Sequence, residues 1–331
     1  MNFIIFRLDR IGDFLMSSIL INDIKKKNKN SKFTVVCSKK NLEYIKKSHL
    51  VDYVYLMPNN LIDRIKFYFY MFRKEYDYSL VLDGKRKSII TSLLIKNNQN
   101  ILITNKKLFK FLFNILFDKI YCMKIEETKM NEILYISEYL ENNFDINSMF
   151  YENKHLNIQN NYKKLIDFLD NYILFHFDEK WIFNEYIKSY SNIEPNNLEL
   201  MSFIKKISLS SDKNLIITTG INENKLVRYI KSISEKIDDF LYRFKVENKY
   251  IYLTDNLDIF HLEYLISMSS CVITCHGAAS HLSNMYKKKL IDIIDLSEDK
   301  IFKKWNNHFV NCEIIYRTNF NDLSKKILKC L

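Results

Sequence analysis

Short apolar runs alternate with longer amphipathic segments along this sequence, and this alternation constrains the fold more than any other feature. The apolar runs have strand length, and the segments between them repeat apolar residues at helical spacing. Such alternation predicts an α/β fold, in which helices cover both faces of a parallel sheet. The N-terminal half predicts strands over residues 3–6, 33–37, 51–57 and 79–82, and helices over 14–27, 41–47, 61–74, 87–95 and 131–140.

The alternation weakens over residues 141–161, which are rich in Asn, and this segment is the predicted linker. At 331 residues the chain is long for one core, because domains typically have about 100–200 residues. After the linker, strands are predicted over 173–177, 215–218, 250–253, 271–274 and 290–294. We therefore predict two doubly wound α/β domains, residues 1–157 and 158–331.

The chain has four glycines, and each follows a predicted strand: Gly12, Gly84, Gly220 and Gly277. Open α/β sheets bind ligands beyond the carboxyl ends of their strands. Glycine there permits positive φ and lets a ligand approach the backbone. Each glycine alone is equally well explained as an ordinary turn residue, but all four together favour ligand sites.

Several common catalytic motifs are absent. No two glycines are close enough for a P-loop, a dinucleotide fingerprint or a nucleophile elbow, which argues against P-loop ATPases, dinucleotide dehydrogenases and α/β-hydrolases. Cys271-x3-Cys275-His276 lacks a second ligand pair, so no metal site is predicted. The six cysteines have no disulfide-framework spacing and indicate reduced thiols in a cytosolic protein.

Motifs in both halves resemble a known family. They are Arg7-Leu8-Asp9-Arg10-Ile11-Gly12-Asp13, Leu82-Asp83-Gly84, Lys180-Trp181, Thr218-Thr219-Gly220 with Glu223, and Gly277-Ala278-Ala279-Ser280-His281-Leu282. Over nearly the whole chain they resemble glycosyltransferase family 9, the ADP-heptose:lipopolysaccharide heptosyltransferases. The resemblance implies the GT-B fold, in which two Rossmann-like, doubly wound parallel-sheet domains face each other across a cleft.

The resemblance also implies roles for individual residues. Transfer would be inverting and metal-independent, with no cofactor, and Asp13 would be the general base. The acceptor-side loop would be formed by Arg7, Asp9, Arg10 and Gly12 in the N-terminal domain. The co-substrate would be a nucleotide-diphospho-sugar, ADP-linked by resemblance. Its contacts in the C-terminal domain would be Lys180, Thr218, Thr219, Glu223, His276, Gly277, Ala278 and His281.

General chemistry supports these roles but leaves alternatives open. Inverting displacement needs a carboxylate near the nucleophile and electrostatic stabilisation of the departing diphosphate, which a helix N-terminus can supply. Asp13 is also a good N-cap residue. Lys180 is equally a surface lysine beside a core tryptophan, and Thr218 and Thr219 equally end a strand. His281 is equally a structural histidine.

One segment departs from the family pattern. Where the family has Asp-Ser/Thr-Gly, this sequence has His276-Gly277-Ala278. An imidazole in place of a carboxylate changes the contacts available to the transferred sugar. Heptose is therefore in doubt, whereas sugar transfer is still expected.

The net charge of +11 raises the question of anionic partners. The lysines are scattered and no nucleic-acid-binding module is recognisable, so no nucleic acid partner is expected. Residues 106–117 are basic, aromatic and helical in length. They form either a helix on an anionic membrane surface or a half-buried packing helix. The absence of a signal peptide and of a long apolar run predicts a cytoplasmic protein, with a peripheral position at the inner membrane as an open alternative.

The sequence thus predicts a glycosyltransferase that acts on a glycan or lipid-linked glycan acceptor in cell-surface polysaccharide or lipopolysaccharide biosynthesis. A nucleotide-sugar-hydrolysing epimerase with the same fold is one alternative. A catalytically silent GT-B-like protein that binds nucleotide or glycan is the other. The sugar, the nucleotide base and the acceptor stay open.

Overall fold

The computed structural model describes residues 1–124, 126–151, 171–220, 223–255 and 257–331. The chain divides into two compact units, Met1–Met149 and Phe150–Leu331. Part of the predicted linker therefore belongs to the N-terminal unit, where Ile146–Met149 forms a 3₁₀ turn. The predicted boundary between residues 157 and 158 lies outside the described residues.

The N-terminal unit contains a six-stranded, fully parallel sheet. Its order is β3-β2-β1-β4-β5-β6, so the chain runs outward to one edge and then returns to the centre to build the other half. The two strands at this reversal, β1 and β4, are neighbours. The strands are β1 (Asn2–Arg7), β2 (Lys32–Cys37), β3 (Tyr53–Leu56), β4 (Glu75–Val81), β5 (Lys96–Thr104) and β6 (Lys119–Cys122).

The described helices that cover this sheet are α1 (Ile11–Lys27), α2 (Leu42–Lys47), α3 (Leu61–Phe72), α4 (Arg86–Leu94), α5 (Lys107–Phe113) and α6 (Lys129–Tyr139). Met71 of α3, Ile89 of α4 and Phe109 of α5 share one core cluster with Ile4 and Phe6 of β1. Helices α3, α4 and α5 therefore cover the same face of the sheet. Helix α1 packs against α6. The predicted helix over 106–117 is shorter than expected.

The C-terminal unit repeats the same strand order. Its eight-stranded sheet runs β14-β13-β12-β7-β8-β11-β10-β9. The first six are parallel, and β10 and β9 add an antiparallel edge. The strands are β7 (Tyr172–Phe177), β8 (Asn214–Thr219), β9 (Glu235–Lys236), β10 (Leu241–Val246), β11 (Lys249–Thr254), β12 (Cys271–Cys275), β13 (Lys289–Ile294) and β14 (Cys312–Tyr316).

The described helices of this unit are α7 (Asn197–Ser210), α8 (Lys225–Ser232), α9 (Ile259–Met268), α10 (Ala278–Met285), α11 (Asp299–Asn306) and α12 (Phe320–Cys330). Phe203 of α7, Val227 of α8 and Leu323 of α12 pack in one cluster against the inner strands, whereas α9 packs against α10. In the parts of the chain described, no helix is long and apolar enough to cross a membrane.

The strand order fixes where a ligand can bind in each unit. Where a doubly wound sheet reverses its direction of growth, neighbouring loops diverge and leave a crevice at the carboxyl ends of the strands. The reversal lies between β1 and β4 in the N-terminal unit and between β7 and β12 in the C-terminal unit. Three of the four glycines, Gly12, Gly84 and Gly277, follow strands at these two points.

Candidate functional sites at the two strand reversals

Arg7 ends β1 and is 3% exposed. Its Nε donates to Ser17 Oγ at 2.7 Å, and its Nη1 donates to the Leu82 carbonyl oxygen at 2.8 Å. Asp9 Oδ2 lies 3.6 Å from the same Nη1. Arg7 therefore ties β1, α1 and the end of β4 together. This side chain holds the loop after β1 in shape.

Asp13 lies at the third position of α1, and Arg10 is the N-cap residue. The backbone N–H of Arg10 donates to Asp13 Oδ2 at 3.0 Å. Among the described residues, nothing donates to the other carboxylate oxygen, Oδ1. The alternative of Asp13 as N-cap is thus wrong in position, although the carboxylate does satisfy an N-terminal backbone group. The half-buried carboxylate keeps one oxygen for another partner.

Gly12 lies inside the first turn of α1, because the helix begins at Ile11 and not at the predicted residue 14. Its φ is not positive, so the left-handed conformation that glycine permits does not occur at this position. Gly84 does have a positive φ of 56°. A Cβ there would lie 3.2 Å from the Ile103 carbonyl oxygen. The positive φ at Gly84 therefore favours glycine, and a Cβ would also crowd the Ile103 carbonyl oxygen.

Asp83 organises the loop after β4. Its Oδ2 accepts the Leu8 N–H at 3.0 Å and the Ser88 hydroxyl at 2.8 Å, and its Oδ1 accepts the Lys85 N–H at 2.9 Å. Burial raises the pKa of Asp83 above its ordinary value. Lys85 in turn forms an ion pair with Asp9. The loops after β1 and β4 are thus joined by a polar network at the strand reversal.

In the C-terminal unit, a buried ion pair follows β7. Lys180 Nζ lies 2.5 Å from Asp178 Oδ2, and the two side chains are 13% and 3% exposed. Burial alone would raise the pKa of Asp178, but neighbouring Lys180 and His176 outweigh it and hold this pKa below its ordinary value. Burial likewise opposes the charge on Lys180, but Asp178 outweighs it and raises the lysine's pKa. Both groups therefore stay charged at neutral pH.

The turn that carries this pair, residues 178–180, lies against the loops after β8 and β12. A Cβ at Gly220 would lie 2.6 Å from Glu179 Oε2, and a Cβ at Gly277 would lie 2.8 Å from Lys180 Nζ. These two glycines therefore leave space for the turn. The structure brings Lys180 and Gly277, two of the predicted donor contacts, directly together.

Trp181 fixes the turn to the core. It is fully buried, its Nε1 donates to the His176 carbonyl oxygen at 2.9 Å, and its ring packs edge-on against Phe175. His176 Nδ1 is 2.9 Å from Thr218 Oγ1. Burial lowers the pKa of His176 to about 4, so its ring is neutral at pH 7. Lys180 is therefore held by a rigid support and is not a mobile surface lysine.

The other predicted contacts on this edge already have partners. The Thr218 hydroxyl is buried against His176, and the Thr219 hydroxyl donates to Asp255 Oδ1 at 3.1 Å. Glu223 is exposed, and its carboxylate is 2.7 Å from Lys231 Nζ. A ligand would have to share or displace these contacts. Their donor roles stay predictions.

The loop after β12 leads directly into α10, whose N-cap is Gly277 and whose first residue is Ala278. The Ser280 hydroxyl accepts the Gly277 N–H at 3.2 Å and donates to Asp292 Oδ1 at 2.8 Å. Asp292 Oδ2 lies 2.7 Å from His276 Nδ1. Asp292 on β13 is fully buried, so one carboxylate orients both the imidazole and the helix start.

His281 lies one turn into α10, with its ring centroid 5.5 Å from that of His276. Its Nδ1 is buried and has no partner among the described residues. Burial, with His276 and His308 nearby, lowers the pKa of His281 well below the usual value. His281 is therefore a neutral ring at pH 7. The structure is compatible with both a structural role and a ligand role.

Sequence reasoning assigned no role to Asp178 or Asp292, which position Lys180 and His276. A signal existed for Asp292, because a carboxylate inside the apolar run Leu290-Ile291-Asp292-Ile293-Ile294 must find a buried partner. Asp178 had no such signal, because a strand-end Asp is common. Within the described ranges, no three His, Cys, Asp or Glu side chains are arranged to hold a metal ion.

Comparison with known proteins gives structural matches alone. No protein-family model matches the chain, and no curated protein does. The solved structure "E. coli heptosyltransferase WaaC with ADP" is similar over 100% of both chains, at 11% identity and a TM-score of 0.70. A glycosyl transferase family 9 protein from Veillonella parvula covers 100% of this chain and 90% of its own, at 10% identity and a TM-score of 0.68.

The chain has the heptosyltransferase-like GT-B fold. The resemblance read from the motifs is therefore confirmed at the level of fold. UDP-GlcNAc 2-epimerase from Methanocaldococcus jannaschii is also similar, over 100% of this chain and 91% of its own, at 12% identity and a TM-score of 0.58. The agreement with the heptosyltransferases is thus better than with this epimerase.

Proposed function

We propose that the chain is an inverting, metal-independent glycosyltransferase. It would move heptose or another sugar from a nucleotide-diphospho-sugar to a glycan or lipid-linked glycan acceptor in cell-surface polysaccharide or lipopolysaccharide biosynthesis. The fold of WaaC, which was solved with ADP, supports a nucleotide-linked donor and favours ADP as the nucleotide.

The observation that carries the proposal is the position of Lys180. Its ammonium lies against Gly277, at the N-terminus of α10 and at the β7–β12 strand reversal. Among the described residues, the backbone N–H groups of Ala278 and Ala279 have no partner. An ammonium group and free N–H groups at a helix N-terminus together stabilise a diphosphate. They would supply the charge stabilisation that other transferases obtain from a metal ion.

The reaction would be a direct displacement. The acceptor hydroxyl oxygen attacks the anomeric carbon, the bond from that carbon to the diphosphate oxygen breaks, and Asp13 takes the hydroxyl proton. Asp13 suits this role because its Oδ1 accepts no hydrogen bond from the described residues while Oδ2 is held by Arg10. The departing nucleoside diphosphate keeps its charge next to Lys180 and α10.

His276 would set donor specificity. Asp292 and the His276 Nδ1 are 2.7 Å apart, so the hydrogen bond between them orients the imidazole beside the start of α10. A transferred sugar would therefore meet an imidazole where the family resemblance implies a carboxylate. This difference supports a sugar other than heptose without changing the displacement itself.

Thermal-shift binding followed by a product assay tests the proposal. We expect ADP or an ADP-sugar to stabilise the chain more than GDP, UDP or CDP and their sugars. Ligand at 100 times its Kd would add about 2.7 kcal/mol to the free energy of unfolding. Transfer to an acceptor should persist in EDTA, because no metal takes part. Free sugar released without an acceptor would instead indicate an epimerase. Binding without turnover would indicate a silent binding protein.

A further inference from the structure

Helices α3 and α5 present large apolar side chains to solvent. Phe69 of α3 is 72% exposed, Phe111 of α5 is 81% exposed, and Ile115 just after α5 is 96% exposed. We call the outward side of α3, α4 and α5 the α3–α5 surface. Its other large apolar side chains that are exposed are Leu61, Ile62, Ile65, Tyr70, Phe72, Ile90, Leu108, Leu112 and Leu116.

These exposed side chains do not belong to the inward faces of the helices. Met71 of α3 and Phe109 of α5 already pack in the core on this side of the sheet. Helix α3 is therefore apolar both toward the core and away from it. A surface helix normally has a polar outer side, and a large exposed apolar patch indicates a binding surface.

The charge of this surface is strongly one-sided. The three helices contain six basic residues, Arg64, Lys66, Arg86, Lys87, Lys107 and Lys110, and one acidic residue, Asp63. The same bias extends to the unit that carries them. Residues 1–149 contain 25 Lys and Arg against 16 Asp and Glu, whereas residues 150–331 contain 25 against 23. The net charge of +11 thus resides mainly in the N-terminal unit.

We propose that the α3–α5 surface docks on an anionic lipid membrane. Exposed Phe, Leu and Ile side chains would enter the boundary between headgroups and acyl chains, while exposed Lys66, Lys107 and Lys110 would keep their ammonium groups at the lipid phosphates. An anionic leaflet attracts such lysines electrostatically, and burial of the apolar groups adds a second, salt-insensitive contribution.

A second copy of the chain fits this surface less well. Pairing two α3–α5 surfaces would bring six basic residues against six, with a single acidic residue on each side. Like charges at such an interface oppose association. A membrane supplies negative charge for the basic residues of this surface. It also supplies an apolar interior for the exposed apolar side chains.

Co-sedimentation of the full chain with vesicles tests the inference. The probes are vesicles of phosphatidylcholine and phosphatidylglycerol in equal parts, and vesicles of phosphatidylcholine alone. We expect the chain to sediment with the anionic vesicles, to bind neutral vesicles at least tenfold more weakly, and to lose affinity as salt is raised.

Paired variants identify the surface. Lys107→Glu with Lys110→Glu should weaken binding to anionic vesicles by roughly 25-fold or more, because the loss of each positive charge weakens binding by about fivefold. The control is Lys326→Glu with Lys329→Glu, an exposed pair with the same spacing on α12. Phe69→Ser with Phe111→Ser should also abolish sedimentation. Leu198→Ser with Leu296→Ser, at comparably exposed positions of the other unit, should not.

Three results would overturn the inference. They are wild-type protein that stays in the supernatant with anionic vesicles, α3–α5 variants that sediment like wild type, and a dimer in solution that Phe69→Ser with Phe111→Ser dissociates without any vesicle binding. Circular dichroism and thermal melts confirm that each variant is folded. The measurement contains no sugar donor, so its failure would leave the proposed transfer reaction unaffected, and a catalytically silent chain would still dock.

Discussion

Lys180 and Asp178 form a buried ion pair, and removing one partner of such a pair leaves the other charge uncompensated. Lys180→Met should therefore lower the free energy of unfolding by about 3–5 kcal/mol, measured by urea denaturation. Lys180→Met with Asp178→Asn removes both charges and should recover most of that loss. Neither variant should bind ADP or another nucleoside diphosphate in a thermal-shift assay. Lys206→Met, at an exposed position of α7, is the control for both measurements.

The double variant distinguishes a structural role of Lys180 from a role in ligand binding. If it regains stability and also binds nucleotide like wild type, Lys180 is a structural residue and not a diphosphate contact. If it regains neither, the ion pair has a further structural role beyond charge balance.

Asp13→Asn tests the proposed general base. The amide oxygen can still accept the Arg10 N–H, so the start of α1 should persist with a loss of at most about 1 kcal/mol from the helix-dipole contribution. Transfer should fall by several orders of magnitude, measured as product formed at saturating donor, because an amide cannot take the hydroxyl proton. Asp322→Asn changes the corresponding third position of α12 and should leave transfer unchanged. Full activity of Asp13→Asn would refute the assignment of the base.

His308 provides a pH-dependent prediction. Burial, with His276 nearby, lowers the pKa of His308 to about 4, against an unfolded value of about 6.5. Between about pH 6.5 and pH 4, His308 is therefore protonated in the unfolded chain but neutral in the folded chain. The free energy of unfolding falls as the pH decreases through this range. His308→Gln should reduce this loss by about 1–3 kcal/mol in urea titrations taken at successive pH values. The exposed His49→Gln variant is the comparison, and identical profiles for all three proteins would contradict the prediction.

At the scale of elements, sequence predicted the central strands well and the peripheral ones poorly. β1 contains the buried apolar run of residues 3–6, and β12 is buried and apolar except for Thr274, so their sequence alone indicates a strand. β5 begins Lys-Asn-Asn-Gln-Asn and was not predicted, nor were β6, β9, β10 and β14. These strands lie toward the sheet edges, where pairing with a neighbour rather than an apolar pattern decides the conformation.

The candidate site shows the same difference between what the local sequence indicates and what contacts with other strands decide. The positions of Asp13, Lys180 and Gly277 near strand ends could be read from the sequence, because each follows an apolar run. Their partners could not, because Asp292 reaches His276 from a neighbouring strand. Contacts between distant segments depend on strand order, which the apolar pattern does not specify.

Two glycines at strand ends should respond differently to alanine. At Gly84 the positive φ and the nearby Ile103 carbonyl oxygen make a Cβ costly, so Gly84→Ala should lower the free energy of unfolding by about 1–2 kcal/mol. At Gly277 the Cβ would lie 2.8 Å from Lys180 Nζ, the far end of a long side chain that can shift slightly and keep its ion pair with Asp178. Gly277→Ala should therefore fold nearly normally and lose nucleotide affinity. Urea denaturation and nucleotide titration of both variants check the contrast, and the opposite pattern would refute it.

At the scale of the whole molecule, the same strand order occurs twice while the two units differ in charge and in their loops. The N-terminal reversal carries Asp13 and the polar network that joins Asp9 and Asp83 to Arg7 and Lys85, whereas the C-terminal reversal carries Lys180 and the start of α10. The Lys180 ammonium and the free N–H groups at the start of α10 should therefore hold an anionic donor in the C-terminal unit. The acceptor hydroxyl is neutral until Asp13 removes its proton, so we expect the acceptor to bind to the N-terminal unit. This unit also carries the α3–α5 surface.

Hydrogen–deuterium exchange can test this division of roles, because a ligand slows exchange in the segments whose opening it opposes. Saturating ADP, or whichever nucleoside diphosphate binds, should protect the backbone amides of residues 178–181 and 276–282. It should leave residues 7–13 unchanged, since the proposed diphosphate contacts, Lys180 and the start of α10, belong to the C-terminal unit. The Lys180→Met, Asp178→Asn double variant should show no protection at either segment. Protection of residues 7–13 without protection of 276–282 would place the nucleotide in the N-terminal unit and reverse the proposed roles of the two units.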